Sequence, residues 1–193
     1  MTASLRLFIA IELPADVLAT LNDLQHNLQR DPALARLRWV RPEGIHITLK
    51  FLGPVPAERC SEIEGAVARS VAGIPPFELH LGKLGTFGSS RSPRVLCVDV
   101  AGDLDTLAKL QSQVEAELGP LGFPAESRRF SPHLTLARVP PERATEAARP
   151  LAEAVASHDA PRATIRAEVL SLVNSDRQRG GAVYTRLFAA NLV

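Results

Sequence analysis

Hydrophobic residues along the chain follow two spacings, one typical of buried strands and one typical of amphipathic helices. Residues 6–11 form a short apolar run that predicts a strand. Apolar residues at helical spacing follow between Val17 and Leu28, and residues 46–51 form a second extended run. The first part of the chain therefore predicts a strand, a helix and a strand.

The second half of the chain repeats this order. Residues 94–98 predict a strand, residues 104–118 carry apolar side chains at helical spacing, and residues 133–138 are again extended. His46 lies 40 positions after Arg6, and His133 lies 39 positions after Arg94. Because each unit places a histidine at the same point, we predict two related lobes.

The remaining segments complete these lobes. Apolar spacing predicts a helix that includes Ile63, Val67 and Val71, and another over residues 144–158 that Pro150 would break or start. Further strands are predicted at residues 77–81, 164–173 and 183–189. Two stretches rich in Gly, Ser and Arg, residues 85–93 and 174–181, are predicted to be exposed loops.

Composition narrows the class of protein. With 193 residues and 46% hydrophobic side chains, the chain can form one core, and we expect a single bilobal domain over residues 1–193. A net charge of +1 argues against a protein that binds long nucleic-acid duplexes through many phosphate contacts. Cys60 and Cys97 form no C-x-x-C pair, and the apolar residues 7–11 are too few for a signal or a membrane span. We expect a cytoplasmic monomer with no membrane association.

The candidate chemistry lies in two His-x-Thr strands. Alternate side chains of a strand share a face, so His46 and Thr48 point one way, and His133 and Thr135 repeat the arrangement. If the lobes pack about a pseudo-twofold axis, two imidazoles flank one cleft. One can accept a proton from water while the other protonates a leaving oxygen, and each threonine can donate to a phosphoryl oxygen. This chemistry needs no metal.

The pairing of the motifs is the informative part of the pattern. Random order of the five histidines and nine threonines would give roughly 0.2 His-x-Thr matches in a chain of 193 residues. Two matches at equivalent places of a duplicated unit favour a functional pair. The alternative is that both are ordinary strand residues, with Thr selected for its β-propensity.

Three segments carry a resemblance to a known family. They read RLFIAIELP, RWVRPEGIHITLKFLG and RRFSPHLTLARV. The chain resembles the bacterial and archaeal RNA 2′,3′-cyclic phosphodiesterases, also called 2′-5′ RNA ligases, of the two-histidine phosphoesterase superfamily. The resemblance implies an α+β fold in which two antiparallel sheets flank a cleft, with helices outside. It also implies cofactor-free hydrolysis to a 2′-phosphomonoester, with His46 as proton donor and His133 as acceptor.

The same resemblance suggests residues that bind the substrate. Arg138 matches an arginine expected to contact phosphate, although strict alternation would place it on the face opposite His133 unless the strand twists or bulges there. Phe51 matches an aromatic that would stack on a base, but alternation favours core packing equally. Arg129 and Tyr184 are further candidates for the cleft, with surface and core roles as alternatives. Lys50 shares the His46 face by alternation and would be solvated or meet phosphate.

Competing functions differ in what they require of the sequence. A metal hydrolase would need H-x-x-x-H or H-x-E arrangements in the motif strands, and an ATP-driven ligase would need a glycine-rich phosphate loop; the sequence has neither. A non-catalytic module that binds nucleotides or RNA ends, and 2′-5′ ligation as the reverse reaction, stay open. The expected partners are RNA ends with a 2′,3′-cyclic phosphate or small cyclic nucleotides.

Overall fold

The computed structural model of the protein describes residues 4–159, 161–178 and 181–193. Within these ranges the chain forms nine strands: β1 Ser4–Glu12, β2 Arg38–Trp39, β3 His46–Pro56, β4 Phe77–Ser89, β5 Ser92–Gly102, β6 His133–Arg138, β7 Thr164–Ala167, β8 Val169–Gln178 and β9 Gly181–Asn191. The α-helices of the same ranges are α1 Ala15–Leu28, α2 Pro32–Ala35, α3 Cys60–Ser70, α4 Leu104–Leu118 and α5 Ala144–Ser157. Both strand–helix–strand units predicted from the sequence are present.

The strands pair in the order β7-β4-β5-β6-β3-β1-β8-β9, and β2 adds to the side of β6. All of these pairs are antiparallel. The two lobes meet where β3 pairs with β6 through Ile47 and Leu134. The α+β class is confirmed, and the two expected sheets are continuous at this junction. The His-x-Thr strands therefore lie side by side at the centre.

The helices pack on the face of the sheet that carries Ile47 and Leu134. Each long helix turns one apolar stripe toward that shared core, as the spacing predicts. Asp103 caps α4 by accepting a hydrogen bond from the Thr106 backbone amide at 3.0 Å. Helix α5 continues past Pro150, with the buried residues Ala147 and Leu151 on either side of it. In the described part of the chain, no helix has the length and apolar character to cross a membrane.

The two predicted loops are wrong, because both stretches extend β-hairpins. In the first, β4 and β5 stay paired out to Ser89 and Ser92, and in the second, β8 and β9 stay paired out to Gln178 and Gly181. Backbone hydrogen bonds between strands do not depend on side-chain polarity. The polar composition of these stretches therefore predicts loops where the backbone forms strands. Residues 179 and 180 of the second stretch lie outside the described residues.

The predicted strand over residues 164–173 is two strands. β7 pairs with β4 of one lobe, whereas β8 pairs with β1 of the other. The chain changes lobes at Glu168, between these strands. The strand break therefore marks a crossing that apolar alternation alone does not reveal.

Candidate active site

A β-bulge follows the first His-x-Thr motif and changes which side chains face the cleft. Thr48 of β3 pairs with Ala10, and Lys50 pairs with Ile9, so Leu49 is an extra residue on β3. Leu49 and Lys50 are consequently both buried, and Phe51 is 58% exposed. The alternation argument that placed Phe51 in the core is wrong, and its ring lines the cleft.

The second motif carries the same bulge. Thr135 pairs with Cys97, and Ala137 pairs with Leu96, so Leu136 is the extra residue on β6. Arg138 therefore lies on the cleft face, whereas strict alternation would place it on the opposite face. Phe51 and Arg138 occupy equivalent positions in the two lobes, each five residues after its histidine.

The first bulge also explains the position of Lys50, which strict alternation predicts wrongly. Its side chain is buried on the core face, where the ammonium bonds to the carboxylate of Glu115 on α4. It also donates to the backbone carbonyl of Pro124 at 2.8 Å. Lys50 is therefore neither solvated nor available to phosphate. It ties α4 and the segment that leads to His133 against β3.

The four motif side chains line one cleft of about 540 Å³ at the junction of the lobes. His46, Thr48, His133 and Thr135 are all half-buried there. Phe51, Arg138 and Tyr184 also line this cleft. Arg129 is exposed four residues before His133 and is not among the lining residues, so its role in binding stays a prediction. Among the described residues, no three His, Cys, Asp or Glu side chains gather as a metal site would require.

Aromatic rings hold His46 in place. The Phe8 ring stacks on the imidazole with centroids 4.6 Å apart, and the Tyr184 ring meets it edge-on at 5.2 Å. A Cβ atom on Gly44 would come within 2.8 Å of the Tyr184 ring, so the glycine allows this ring to lie beside the histidine. Sequence patterns do not single out Phe8 or Gly44, because the roles of both depend on contacts with residues distant in the chain.

The two imidazoles are oriented in the same way. The Nδ1 atom of His133 lies 2.8 Å from the backbone carbonyl of Ser131, two residues earlier. The His46 ring bonds to the backbone carbonyl of Gly44, also two residues earlier. A carbonyl can only accept, so each ring donates through one nitrogen and leaves the other for the cleft. On His133 that free nitrogen is Nε2.

The pKa of His46 is lowered to about 4, chiefly by burial and also by the positive charges of Arg138 and His133. The Gly44 carbonyl and the carboxylate of Glu12 act in the opposite direction. Burial is the largest single effect and would raise the pKa of Glu12, but the Arg186 hydrogen bonds, with N–O distances of 2.7 and 3.0 Å, outweigh it together with Ser171 and the charges of Arg186 and His46, and the net shift is downward. His46 is therefore neutral in the empty cleft at neutral pH. The carboxylate of Glu12 lies opposite it on the neighbouring strand β1.

Comparison with known proteins agrees with this geometry. The family model of the 2'-5' RNA ligase superfamily matches residues 13–179, which include both motifs. The chain is 31% identical over 181 residues to an RNA 2',3'-cyclic phosphodiesterase of Methanothermobacter thermautotrophicus, covering 93% of this chain and 95% of the relative. It is 34% identical over 131 residues to one of Bacillus subtilis, covering 68% and 69%.

A solved structure extends the likeness to the whole fold. The crystal structure of E. coli LigT complexed with 3'-AMP superposes with a TM-score of 0.74 at 25% identity, covering 99% of both chains. The match therefore includes both lobes and the strands that form the cleft. The family model, the relatives and the shared fold lead to one conclusion: this chain belongs to the 2'-5' RNA ligase superfamily.

Proposed function

We propose that this protein hydrolyses RNA 2′,3′-cyclic phosphodiester ends to 2′-phosphomonoesters. The observation that carries the proposal is the placement of His46 and His133 on adjacent central strands of one cleft, each oriented by a backbone carbonyl. The names of the two curated relatives and the LigT structure with a bound nucleotide support this choice of substrate.

The reaction needs one proton acceptor and one proton donor. The oxygen of a water molecule attacks phosphorus as Nε2 of His133 takes its proton. The bond between phosphorus and O3′ breaks, and O3′ receives the proton of the His46 imidazolium. The products are a 3′-hydroxyl and a 2′-phosphomonoester. Proton exchange with solvent then restores both histidines.

The other polar side chains of the cleft stabilise charge on the phosphoryl group. Thr48 and Thr135 stand two residues after the histidines on the same face, where their hydroxyls donate to the non-bridging oxygens. Arg138, at the end of β6, supplies a positive charge that does not titrate in the working range. The exposed ring of Phe51 offers a face for the terminal base.

We infer that residues 1–193 act as one bilobal, monomeric enzyme in the cytoplasm. Both lobes contribute side chains to the cleft, so neither would suffice alone. The two cysteines are free thiols, which suits a reducing compartment.

The lowered pKa of His46 has a consequence for substrate binding. A donor must carry a proton, but His46 is neutral in the empty cleft near neutral pH. An anionic phosphate beside the ring raises its pKa, so binding should be coupled to proton uptake by His46. At about pH 6, between the free and bound values, we expect the ring to change from imidazole to imidazolium when a nucleoside 2′-monophosphate binds.

The ¹⁵N chemical shifts of the histidine rings measure this change directly. The His46 signals are assigned by their absence from the His46→Ala spectrum, and exposed His26 on α1 serves as the internal control. A His46 ring that stays neutral in the complex would contradict the coupling of binding to proton uptake.

An assay of the purified protein tests the function itself. The substrate is a short oligonucleotide that ends in a 2′,3′-cyclic phosphate, incubated with and without a chelator, and ³¹P NMR identifies the product. We expect a 2′-phosphomonoester at equal rates in both samples. Tight binding without turnover would indicate a binding module instead, and a 2′-5′-linked product with an added 5′-hydroxyl strand would indicate ligation.

A further inference from the structure

A second groove of about 320 Å³ opens beside the cleft. It shares Arg138 and Tyr184 with the cleft, so the two form one continuous depression. Arg38 and Arg41 line its outer part. The groove therefore begins where the cyclic phosphate would sit and leads away from it.

The arrangement of charges in this groove indicates an anionic ligand. Arg38 of β2 and Arg138 of β6 are direct partners across the antiparallel pair, so their side chains share a face. Cβ atoms of such partners are about 4.5–5.5 Å apart, and like charges there destabilise the pair. Arg41 adds a third guanidinium, whereas Glu43 brings the single carboxylate among the described lining residues. A bound anion would relieve this repulsion.

Arg38 is able to turn toward such an anion. Its closest acidic neighbour is Glu142, at 3.9 Å, and both side chains are largely exposed. An exposed pair of this kind contributes about 0–1 kcal/mol, so it is easily exchanged for a phosphate.

The groove also has an apolar side. Val40 and Val183 line it, whereas the Trp39 side chain lies on the opposite face of β2 from Arg38, against the core, where its indole Nε1 donates to the carbonyl of Leu34 at 3.0 Å. A charged wall next to an aliphatic wall is suited to a nucleotide, which has a phosphate at one end and a base with apolar faces at the other.

We propose that this groove binds the penultimate nucleotide of the RNA strand, with Arg38 and Arg41 on the phosphate that joins it to the terminal nucleotide. The inference rests on the proposed function. A 2′,3′-cyclic phosphate occupies the 3′ end, so the rest of the strand leaves from the 5′ oxygen of the terminal ribose. The preferred substrate class is thus an oligonucleotide end and not a mononucleotide.

The test compares a dinucleotide and a mononucleoside that carry the same terminal 2′,3′-cyclic phosphate. The quantity measured is the ratio of their kcat/KM values. We expect the wild type to favour the dinucleotide about tenfold, and Arg38→Ala and Arg41→Ala each to remove most of that preference. For the dinucleotide, log kcat/KM should fall more steeply with log salt, by about 0.7 for the additional phosphate contact.

Arg36→Ala is the matched control. Arg36 lies two residues before Arg38, is similarly exposed and also pairs with a glutamate at 3.9 Å, but it does not line the groove. It should leave the ratio and the salt slope unchanged.

Three outcomes would overturn the inference. A wild-type ratio of kcat/KM values near one would show that the groove contributes nothing to recognition of the penultimate nucleotide. An equal loss on both substrates in Arg38→Ala and Arg41→Ala would place these side chains at the terminal nucleotide. Failure to hydrolyse either substrate would instead refute the proposed function, and the inference with it.

Discussion

Replacing either His46 or His133 with alanine is expected to lower kcat/KM at least about 100-fold, because each variant lacks one of two positioned proton-transfer groups. Both side chains lie half-buried at the junction of the lobes, and neither belongs to the large core cluster. The variants should therefore remain folded, which circular dichroism and thermal unfolding will check.

His26→Ala is the matched control for this experiment. His26 is an exposed histidine in the last turn of α1 and is not among the residues that line the cleft. Its replacement should leave kcat/KM within about twofold of the wild type, as a surface substitution normally does. Near-normal turnover in folded His46→Ala or His133→Ala would exclude the two-histidine mechanism.

The second large effect concerns the threonines. Thr48→Val and Thr135→Val should each cost about 2–4 kcal/mol of transition-state stabilisation if the hydroxyls donate to the developing oxyanion. This corresponds to roughly a 30- to 1,000-fold decrease in kcat/KM. The loss should appear mainly in kcat, because the donation strengthens as charge builds on the phosphoryl oxygens.

Thr185→Val provides the control for the threonine variants. Thr185 is exposed on β9, outside the cleft, so its replacement keeps a β-branched residue in a strand and removes a hydroxyl away from the chemistry. Unchanged catalytic efficiency in Thr48→Val or Thr135→Val would mean that the threonine concerned is structural.

The duplicated fold could be predicted because the signals that define it are local. Apolar spacing indicated both strand–helix–strand units, and the paired motifs indicated which strand faces would meet. Alternation correctly placed His46 with Thr48 and His133 with Thr135. Alternation failed two residues after each threonine, because Leu49 and Leu136 are extra residues opposite β1 and β5. A bulge depends on the register of a partner strand, which apolar alternation does not contain.

The surroundings of His46 depend on even longer-range contacts. Tyr184 reaches the ring from a strand near the end of the chain, and Glu12 lies opposite His46 across the β1–β3 pair. The polar strand ends at residues 85–89 and 174–178 escape prediction for a related reason, since their stability comes from backbone pairing. Sequence patterns therefore identified the two histidines and two threonines, but not the neighbouring residues that set the orientation and the pKa of His46.

The pH dependence of kcat/KM, measured with the wild type and each single-histidine variant, tests the acid–base pairing most directly. The profile reports ionisations of the free enzyme, so we expect a bell with one apparent pKa near 4 from His46, whichever histidine is the donor. Activity falls below that pH because both imidazoles are then charged. In His46→Ala only the acceptor His133 remains, so the residual activity should keep an acidic limb and lose the basic one. In His133→Ala only the donor His46 remains, so the residual activity should keep the basic limb and lose the acidic one. A flat wild-type profile, or a bell with both limbs that persists in either single-histidine variant, would contradict the two-histidine mechanism.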